Sequence, residues 1–249
     1  MIDIHSHILP GVDDGSKSLD ESVEMVRMAA AAGTTDIVAS PHADSEYRFD
    51  PVLVERKIAE LQAAGGEAPK IHYGCDFHLT IDNIEDAVRV PDRYSIAHRG
   101  YLLVEFSDLH IPKNAAEIFA HLMRAGLRPI VTHPERNQLL NYRLPLIRDW
   151  VAQGAMVQLT AISFLGRFGK VAKKSADELM GSGLAHFVAS DAHDTQHRTT
   201  DLREPFRYVE KRFGPEAAAR VFVENPRAAL AGVPLSQAPI PIRRKTWFW

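Results

Sequence analysis

Short stretches rich in β-forming residues recur along this chain at nearly constant spacing, and helical patterns separate most of them. Their first residues are 34, 35, 30, 28, 26 and 30 positions apart. Because a parallel strand is reached through a crossover of a dozen or more residues, this spacing predicts repeated βα units in an α/β fold. The predicted strands are Ile2–His5, Asp36–Ser40, Ile71–Gly74, Tyr101–Phe106, Pro129–Thr132, Ala155–Thr160 and Ala185–Ser190.

The sequence also marks where the first helices begin and end. Ser18 and Glu21 have the spacing of a capping box, and Gly33 is placed to end the helix that follows. The second helix is predicted to start at Asp50, with Pro51 in its first turn. Helices of this kind between the predicted strands favour a closed parallel barrel.

A chain of 249 residues fits one large α/β barrel or sandwich, and no linker precedes Gly232. We therefore expect a single domain over residues 1–231, followed by a proline-rich tail with basic and aromatic residues over 232–249. The net charge of -3 argues against nucleic-acid binding. No apolar run approaches the roughly 18 residues of a membrane-spanning helix. The single cysteine, Cys75, and the lack of a secretory signal pattern favour a cytoplasmic location.

Side chains able to bind metals fall at the C-terminal ends of the predicted strands. In a closed parallel barrel these ends converge on one face, where barrel enzymes carry out their chemistry. Each residue alone has an ordinary explanation, such as a core hydrogen bond or a helix cap, but their shared placement favours a metal centre. The candidates are His5, His7, His42, Asp76, Glu105, His133, Asp191 and His193.

The chemistry of these groups narrows the kind of site. Imidazole and carboxylate groups without a thiolate suit manganese, iron or zinc, and carboxylates can bridge two ions. Such a site lowers the pKa of a bound water and holds the oxygens of a phosphoryl group. Arg136 and Arg198 follow strand ends closely enough to reach the same face and bind phosphate oxygens, with surface ion pairs as the alternative.

Several strings of the sequence, taken together, resemble a known family. They are "DIHSHILPGVDDG", "SPH", "VEF", "THPERN" and "SDAH", and the likeness runs from Met1 to about Ala231. These strings are similar to the motifs of the PHP (polymerase and histidinol phosphatase) superfamily, specifically its CpsB/CapC/YwqE branch of bacterial metal-dependent protein tyrosine phosphatases. The resemblance implies a distorted, TIM-like (β/α)7 barrel, in agreement with the seven predicted strands.

The resemblance also implies a site for two or three metal ions, usually manganese, with iron, zinc, cobalt or magnesium as alternatives. The ions would be held by His5, His7, Asp76 and Asp191; by Asp76, Glu105 and His133; and by Asp14, His42 and His193. Asp13 competes with Asp14, which the resemblance favours, while Asp13 could cap the turn into the first helix. Many family members carry glutamate where this chain has Asp76, so the bridging carboxylate is one methylene shorter.

The activity implied by the resemblance is hydrolysis of phosphotyrosine on a protein. Arg136 and Arg198 fall where the family places phosphate-contacting arginines, and His42 is a candidate proton donor. The expected substrate is a membrane-associated tyrosine autokinase of capsular or exopolysaccharide synthesis. A cysteine-based phosphatase is excluded, because Ile81 stands six residues after Cys75 where an arginine would be needed.

Three other functions stay open at this point. A PHP phosphatase for a small phosphomonoester such as histidinol phosphate is the nearest. The second is an amidohydrolase-type metal hydrolase, but such enzymes commonly have lysine where this chain has Glu105. The third is a non-catalytic barrel, which would be expected to have lost metal ligands, and none is clearly lost here. Arg167 and Lys170, in the segment 163–173, could form a basic rim for an acidic phosphopeptide, with an ordinary βα loop that leads into a helix as the alternative. The tail is expected to pack on its own barrel. The alternatives are that it contacts a membrane surface or that it docks on a second copy of the chain, which would give a homo-oligomer.

Overall fold

Parallel strands alternate with helices along the chain, as the spacing of the β-rich stretches predicts. The computed structural model of the protein describes residues 1–67 and 69–235. Each of the seven predicted strands is present within two residues of its predicted limits. In the described residues the strands are β1 (Ile2–Ser6), β2 (Asp36–Ala39), β3 (His42–Ala43), β4 (Lys70–Tyr73), β5 (Asp76–His78), β6 (Tyr101–Glu105), β7 (Arg128–Thr132), β8 (Met156–Thr160) and β9 (Phe187–Ala189).

The first two helices begin as the sequence predicts. The Ser18 hydroxyl accepts a hydrogen bond from the Glu21 N–H, and the Asp50 carboxylate accepts two from the turn that contains Pro51. These caps satisfy N–H groups that have no partner inside a helix. The described helices are α1 (Leu19–Ala31), α2 (Pro51–Gly65), α3 (Ile81–Arg89), α4 (Ala115–Arg124), α5 (Leu144–Ala152), α6 (Gly169–Gly181), α7 (Arg203–Phe213), α8 (Pro215–Ala219) and α9 (Asn225–Ala231).

The strands form a closed ring made of two hydrogen-bonded sheets. Their orders are β1-β2-β4 and β3-β5-β6-β7-β8-β9, and every strand pairing is parallel. Ser6, at the end of β1, pairs with Ala192, just after β9. The His7 N–H also donates to the Ala192 carbonyl at 2.8 Å. This contact closes the ring, so the structure is the predicted distorted α/β barrel.

Two barrel strands are interrupted, and the sequence pattern predicts neither interruption. β2 resumes as β3 after Pro41, which has no N–H to donate to a neighbouring strand. β4 resumes as β5 after Gly74, where a Cβ would lie 2.4 Å from a methyl group of Val38. As a result, His42 and Asp76 do not follow strands but lie in β3 and β5, where they are paired in register.

The polar residues of the strand ends lie above an apolar cluster in the barrel. Leu103 and Met156 belong to this buried cluster. Side chains two residues apart on a strand share a face. Glu105 therefore lies on the same face of its strand as Leu103, and Gln158 on the same face as Met156, each two residues nearer the C-terminal end. The apolar layer therefore supports the floor of the polar layer.

The chain returns to the opposite end of the barrel after α9. There the Tyr101 hydroxyl donates to the Val233 carbonyl at 2.7 Å, and Arg128 donates to the Gly232 carbonyl at 3.0 Å. The predicted tail, residues 232–249, is described only to residue 235, so its basic and aromatic part lies outside the described residues. Among the described helices, none has both the length and the apolar character needed to cross a membrane.

Candidate metal centre

The residues predicted to bind metal converge at the C-terminal ends of the barrel strands. His5 lies in β1, His42 in β3 and Asp76 in β5, and Glu105 ends β6. The others lie in loops that follow strands, and Asp14 reaches the cluster from the loop between β1 and α1. The side chains brought together are those of His5, His7, Asp14, His42, Asp76, Glu105, His133, Asp191 and His193.

Four of these side chains form the outer part of the cluster. The potential ligand atoms of His7, Asp14, His42 and His193 all lie within 4.8 Å of one another. Asp14 Oδ1 is 3.4 Å from His42 Nε2 and 3.3 Å from His193 Nε2. The Asp14 side chain is 47% exposed, whereas that of His7 is only 1% exposed. This part of the cluster therefore faces solvent.

The deeper part of the cluster lies around His5. Its Nε2 atom is 3.1 Å from His7 Nε2 and 3.4 Å from Asp76 Oδ2. Asp191 Oδ1 is 3.6 Å from the Nε2 atom of each histidine. All four side chains are buried, so the residues predicted for one ion present their ligand atoms to one another away from solvent.

Glu105 and His133 complete the cluster on a third side. His133 Nε2 is 3.4 Å from Glu105 Oε1. The Nδ1 atom of His42 is 3.4 Å from both Glu105 Oε2 and Asp76 Oδ2. His133 also forms a compact group with His5 and Asp191. Asp76 thus lies between the deep part and the Glu105 side, where a carboxylate could bridge two ions.

The carboxylate of Asp76 tests whether the cluster suits a metal ion. It is fully buried, and neither of its oxygens has a hydrogen-bond partner. Buried carboxylates are ordinarily hydrogen-bonded, paired or bound to metal, because removing a charge from water is costly. His42 Nδ1 is also buried without a hydrogen-bond partner. The imidazole nitrogens and carboxylate oxygens around these atoms fit a divalent transition metal.

Two residues of the cluster have a strained backbone. His133, directly after β7, has a φ of 33°, and Asp191, after β9, has a φ of 51°. Residues other than glycine rarely adopt this region, and such strain is concentrated at functional sites. The His133 N–H donates to the Gln158 carbonyl at 2.8 Å, and the Asp191 N–H donates to the His5 carbonyl at 2.9 Å. The neighbouring strands therefore hold both turns in place.

Burial keeps two of the histidines neutral. Burial and the nearby His193 lower the pKa of His7 to about 4. Burial and the nearby Arg136 likewise lower the pKa of His133 to about 4. Both imidazoles therefore carry a free nitrogen lone pair at neutral pH, which is the form that binds metal.

The carboxylates of the cluster stay ionised despite their burial. Burial raises the pKa of Asp191, but Arg136 and Arg198 outweigh it and hold this pKa well below its usual range. Burial lowers the pKa of His5, but the charges of Asp76 and Asp191 outweigh it and raise that pKa to about 9. The deep part of the cluster therefore has a negative potential that attracts cations.

The sequence leaves open whether Asp13 or Asp14 binds metal, and the two side chains lie on different sides of the histidines. Asp14 reaches His42 and His193, as described above. Asp13 Oδ2 instead lies 2.7 Å from Nδ1 of His7, the ring nitrogen that faces away from the cluster, and Asp13 also accepts from the N–H of Gly15. A carboxylate in this position fixes the orientation of a metal-binding imidazole.

Gln158 has a similar role that the sequence pattern does not reveal. Its Oε1 atom is 2.9 Å from Nδ1 of His5. Because residue 158 is in β8 and His5 in β1, no local spacing connects the two. The alternation of side chains along β8, which predicts that residue 158 faces into the barrel, is the signal in the sequence that could indicate this contact.

The two arginines predicted to contact phosphate lie at one side of the cluster. Arg136 donates a hydrogen bond to Asp191, and Arg198 Nη2 is 2.7 Å from Asp191 Oδ1. Their side chains are 22% and 24% exposed, so solvent reaches both guanidinium groups. Cys75 is fully buried, and burial and the charge of Asp76 raise the pKa of its thiol well above the usual value.

His78 is a further residue beside the site, and it is not among the metal-binding candidates that the sequence predicts. Its Nε2 atom is hydrogen-bonded to Glu105 Oε2, and Asp44 Oδ2 lies 4.0 Å away. His78, Asp44 and His42 also form a compact group of potential ligand atoms. His197 is exposed and lies outside every such group among the described residues.

A parallel α/β barrel with a buried histidine and carboxylate cluster at its C-terminal strand ends has the architecture of the metal-dependent barrel hydrolases. A family model described as "Capsular polysaccharide synthesis, CpsB/CapC" matches residues 1–231. The chain therefore belongs to the CpsB/CapC family.

Individual relatives agree with this assignment. The chain is 34% identical to the tyrosine-protein phosphatase YwqE of Bacillus subtilis, over 100% of this chain and 99% of YwqE. The chain also superposes with a TM-score of 0.89 on a solved structure described as that of YwqE from Bacillus subtilis and CpsB from Streptococcus pneumoniae, two metal-dependent tyrosine phosphatases. The match has 33% identity and covers 98% of this chain and 100% of that one. The lactonase Lmo2620 of Listeria monocytogenes shares only the fold, with a TM-score of 0.59 at 11% identity over 95% of each chain.

Proposed function

We propose that this protein is a metal-dependent phosphatase that hydrolyses phosphotyrosine on a protein substrate. The observation that carries the proposal is the largely buried cluster of five histidines and four carboxylates, in which Asp14 is the half-exposed member, with two partly exposed arginines beside it. The full-length similarity to YwqE and to a solved metal-dependent tyrosine phosphatase supports it. The family's description supports a role in capsular polysaccharide synthesis. A membrane-associated tyrosine kinase is the proposed protein substrate.

The nine clustered side chains are the proposed metal ligands, and manganese is the proposed ion. A set of oxygen and nitrogen donors without thiolate suits manganese, and iron, zinc, cobalt and magnesium are the alternatives. Ions held there would lower the pKa of a bound water and neutralise charge on phosphoryl oxygens. Two or three ions can be held, because the ligand atoms fall into several compact groups.

Arg136 and Arg198 are the proposed phosphate-binding residues. Both guanidinium groups are anchored on the buried carboxylate of Asp191, and each keeps part of its surface exposed to solvent. A guanidinium group has five N–H donors, so one contact with Asp191 leaves others free for phosphate oxygens. Their positive charge stabilises the charge that develops on the phosphoryl group.

His42 is the proposed proton donor to the leaving group if its imidazole is not fully committed to metal. Burial lowers its pKa, but the carboxylates of Asp14, Asp76 and Glu105 outweigh it and raise that pKa above its usual value. A phenol with a pKa of about 10 leaves more readily than an alcohol, so the need for a proton is modest. A cysteine nucleophile has no place in this scheme, because Cys75 is buried with a raised pKa.

Metal analysis combined with a substrate comparison tests the proposal. We expect purified protein to contain bound divalent metal and to hydrolyse a phosphotyrosine peptide faster than a phosphoserine peptide or histidinol phosphate. His7→Ala should lose metal and reduce turnover by more than about a hundredfold, because even partners of a ligating histidine are worth about 10–100-fold in metal affinity. The exposed His121→Ala is the matched control.

Two results would contradict the proposal. Full activity of metal-free protein, or of His7→Ala, would remove the metal from the reaction. A clear preference for histidinol phosphate over phosphotyrosine would instead assign the protein to small phosphomonoesters.

A further inference from the structure

An aromatic ring lies against the two arginines at the mouth of the metal centre. The guanidinium carbon of Arg136 is 4.1 Å from the centre of the Phe168 ring, and that of Arg198 is 5.9 Å from it. Guanidinium groups near the face of an aromatic ring are attracted by its negative face. Phe168 is therefore fixed next to the place where a phosphate would be bound.

Phe168 also lines a small cavity that begins at the metal centre. The cavity has a volume of about 240 Å³, and it is lined by Glu105, Phe106, Asp108, His133, Arg136, Asn137 and Phe168. Drug-sized ligands occupy clefts of roughly 300–1,000 Å³, so this cavity has the size for a single side chain. Two of the proposed metal ligands, one arginine and two aromatic residues are among the residues that line it.

The loop that carries Phe168 directs this residue inward while its neighbours face solvent. Gly166 and Gly169, on either side, have φ angles of 80° and 88°, which favour glycine. Phe168 is partly buried between them, whereas Arg167 and Lys170 are exposed. The tight turns thus place Phe168 on the inner side of the loop and Arg167 and Lys170 on its outer side. Contact of these two basic residues with the outer part of a substrate stays a prediction.

The second aromatic residue of the cavity is held rigidly. Phe106 is 5% exposed and stacks on Trp150, with ring centres 5.2 Å apart and planes inclined by 18°. The cavity therefore has one fixed aromatic residue in its wall and one, Phe168, that packs against the arginines. This combination suits a flat apolar group attached to an anion.

We propose that Phe168 contacts the aromatic ring of the substrate and selects aryl phosphates over alkyl phosphates. This inference rests on the proposed function and deepens it. In a tyrosine phosphate, a single ester oxygen separates the phosphorus from the ring. With the phosphoryl group against Arg136 and Arg198, that ring lies beside Phe168, which is the aromatic residue packed on both of them. A phosphoserine places a methylene there and gains little from an aromatic wall.

The test separates contact with the substrate ring from support of the arginines. Phe168→Leu keeps an apolar side chain without a ring, and Phe168→Tyr keeps the ring. For metal-loaded protein, the binding of phenylphosphonate and of inorganic phosphate would be measured by calorimetry, and kcat and KM for phenyl phosphate and ethyl phosphate by phosphate release.

We expect Phe168→Leu to weaken phenylphosphonate binding and to raise KM for phenyl phosphate by about three- to tenfold, the value of one aromatic pair. Inorganic phosphate binding should change much less than phenylphosphonate binding, so the ratio of kcat/KM for phenyl phosphate to kcat/KM for ethyl phosphate should fall. Phe168→Tyr should keep the wild-type ratio.

Equal weakening of phenylphosphonate and phosphate in Phe168→Leu would show that Phe168 only supports the arginines and would overturn the inference. Unchanged binding of both would overturn it too. Failure of the proposed function is recognised separately, because the unaltered protein would then not hydrolyse a phosphotyrosine peptide whatever Phe168 does.

Discussion

At the scale of single residues, the adjacent carboxylates Asp13 and Asp14 show how one position separates two roles. Asp14 lies 3.3 Å from His193 Nε2 and is half exposed, whereas Asp13 is buried and lies 2.7 Å from His7 Nδ1. Asp13 also accepts a hydrogen bond from the His42 N–H at 3.2 Å. It therefore holds two proposed ligands in position without facing the cluster itself.

This arrangement predicts the effect of Asp13→Asn. The amide keeps the size of the side chain but binds the His7 imidazole less strongly and leaves its orientation less defined. We expect metal affinity to fall by about 10–100-fold, the typical effect of removing such a partner. Isothermal titration calorimetry of metal-free protein with Mn²⁺ measures this affinity.

The control for Asp13→Asn is Asp149→Asn, at an exposed position of α5. It should bind metal like the unaltered protein. A wild-type affinity in Asp13→Asn would mean that the hydrogen bond to His7 does not support metal binding.

Residues at strand ends could be predicted from the sequence, whereas their supporting contacts could not. His5 and Glu105 occur at the ends of recognisable strands, and a barrel has one place where such ends meet. Gln158 and His78 depend on which side chains face each other across the barrel, and no local spacing encodes this. The choice between Asp13 and Asp14 depends on the path of a loop, which only the structure shows.

At the scale of elements, the loop between β1 and α1 is constrained by a close approach to the strand it leaves. A Cβ at Gly15 would lie 2.1 Å from the His7 carbonyl oxygen and 2.5 Å from the His7 Cβ. The Ser16 N–H donates to the same carbonyl at 3.1 Å. The loop can therefore bring Asp13 and Asp14 to the cluster only with glycine at position 15.

We expect Gly15→Ala to damage the metal centre through this contact. The added methyl group must displace either the loop or His7, because the atoms it meets are backbone and Cβ atoms that cannot rotate away. Metal content after purification and turnover of a phosphotyrosine peptide should both fall strongly. Elemental analysis and phosphate release measure the two effects.

Gly11→Ala in the same loop provides the comparison. A Cβ there meets nothing within 4 Å, although its φ of 66° makes alanine strained by about 1–2 kcal/mol. This variant should lose some stability but keep its metal. If both variants keep their metal equally, the close approach at Gly15 does not define the site.

The interrupted strands mark the limit of prediction at this scale. The repeat of about 30 residues was sufficient for the number and order of βα units, because hydrophobic periodicity is a local property. The break at Pro41 comes from the missing N–H of proline, and the break at Gly74 comes from packing between neighbouring strands, where Gly74 approaches Val38. They place His42 opposite Asp76 in register, a pairing that the sequence pattern does not contain.

At the scale of the whole molecule, closure of the barrel assembles the metal centre. The first strand carries His5 and is followed by His7, and the last is followed by Asp191 and His193. The bridge between Ser6 and Ala192 therefore brings the two ends of the fold together. Residues so far apart in sequence are close only in the folded chain. Metal binding at this place therefore stabilises the folded state as a whole.

The buried carboxylates indicate how metal affects stability. Asp76 is fully buried without a hydrogen-bond partner for either oxygen, and it forms compact groups with His42 and Glu105 and with His5 and His7. Folding concentrates these negative charges, and a bound cation compensates them. We therefore expect Mn²⁺ to raise the midpoint of thermal unfolding and a chelator to lower it.

The size of this shift follows from the ligand concentration. At a free metal concentration of 100 times Kd, binding stabilises the folded state by about 2.7 kcal/mol. For a chain of this length, each kcal/mol raises the midpoint by roughly 2–4 °C, so the shift should be about 5–11 °C. Calorimetry with Mn²⁺ and with excess chelator measures it.

Asp76→Asn separates this effect from unspecific binding of cations. The neutral amide removes the charge that lies between the groups of ligands, so this variant should show a much smaller shift with Mn²⁺. Its metal-free form should also lose less stability than a cavity-forming change would cause, because asparagine fills the same space. Asp149→Asn, which removes an exposed charge from α5, should shift with Mn²⁺ like the unaltered protein. Equal shifts in all three proteins would mean that the stabilising metal binds somewhere other than the cluster at the strand ends.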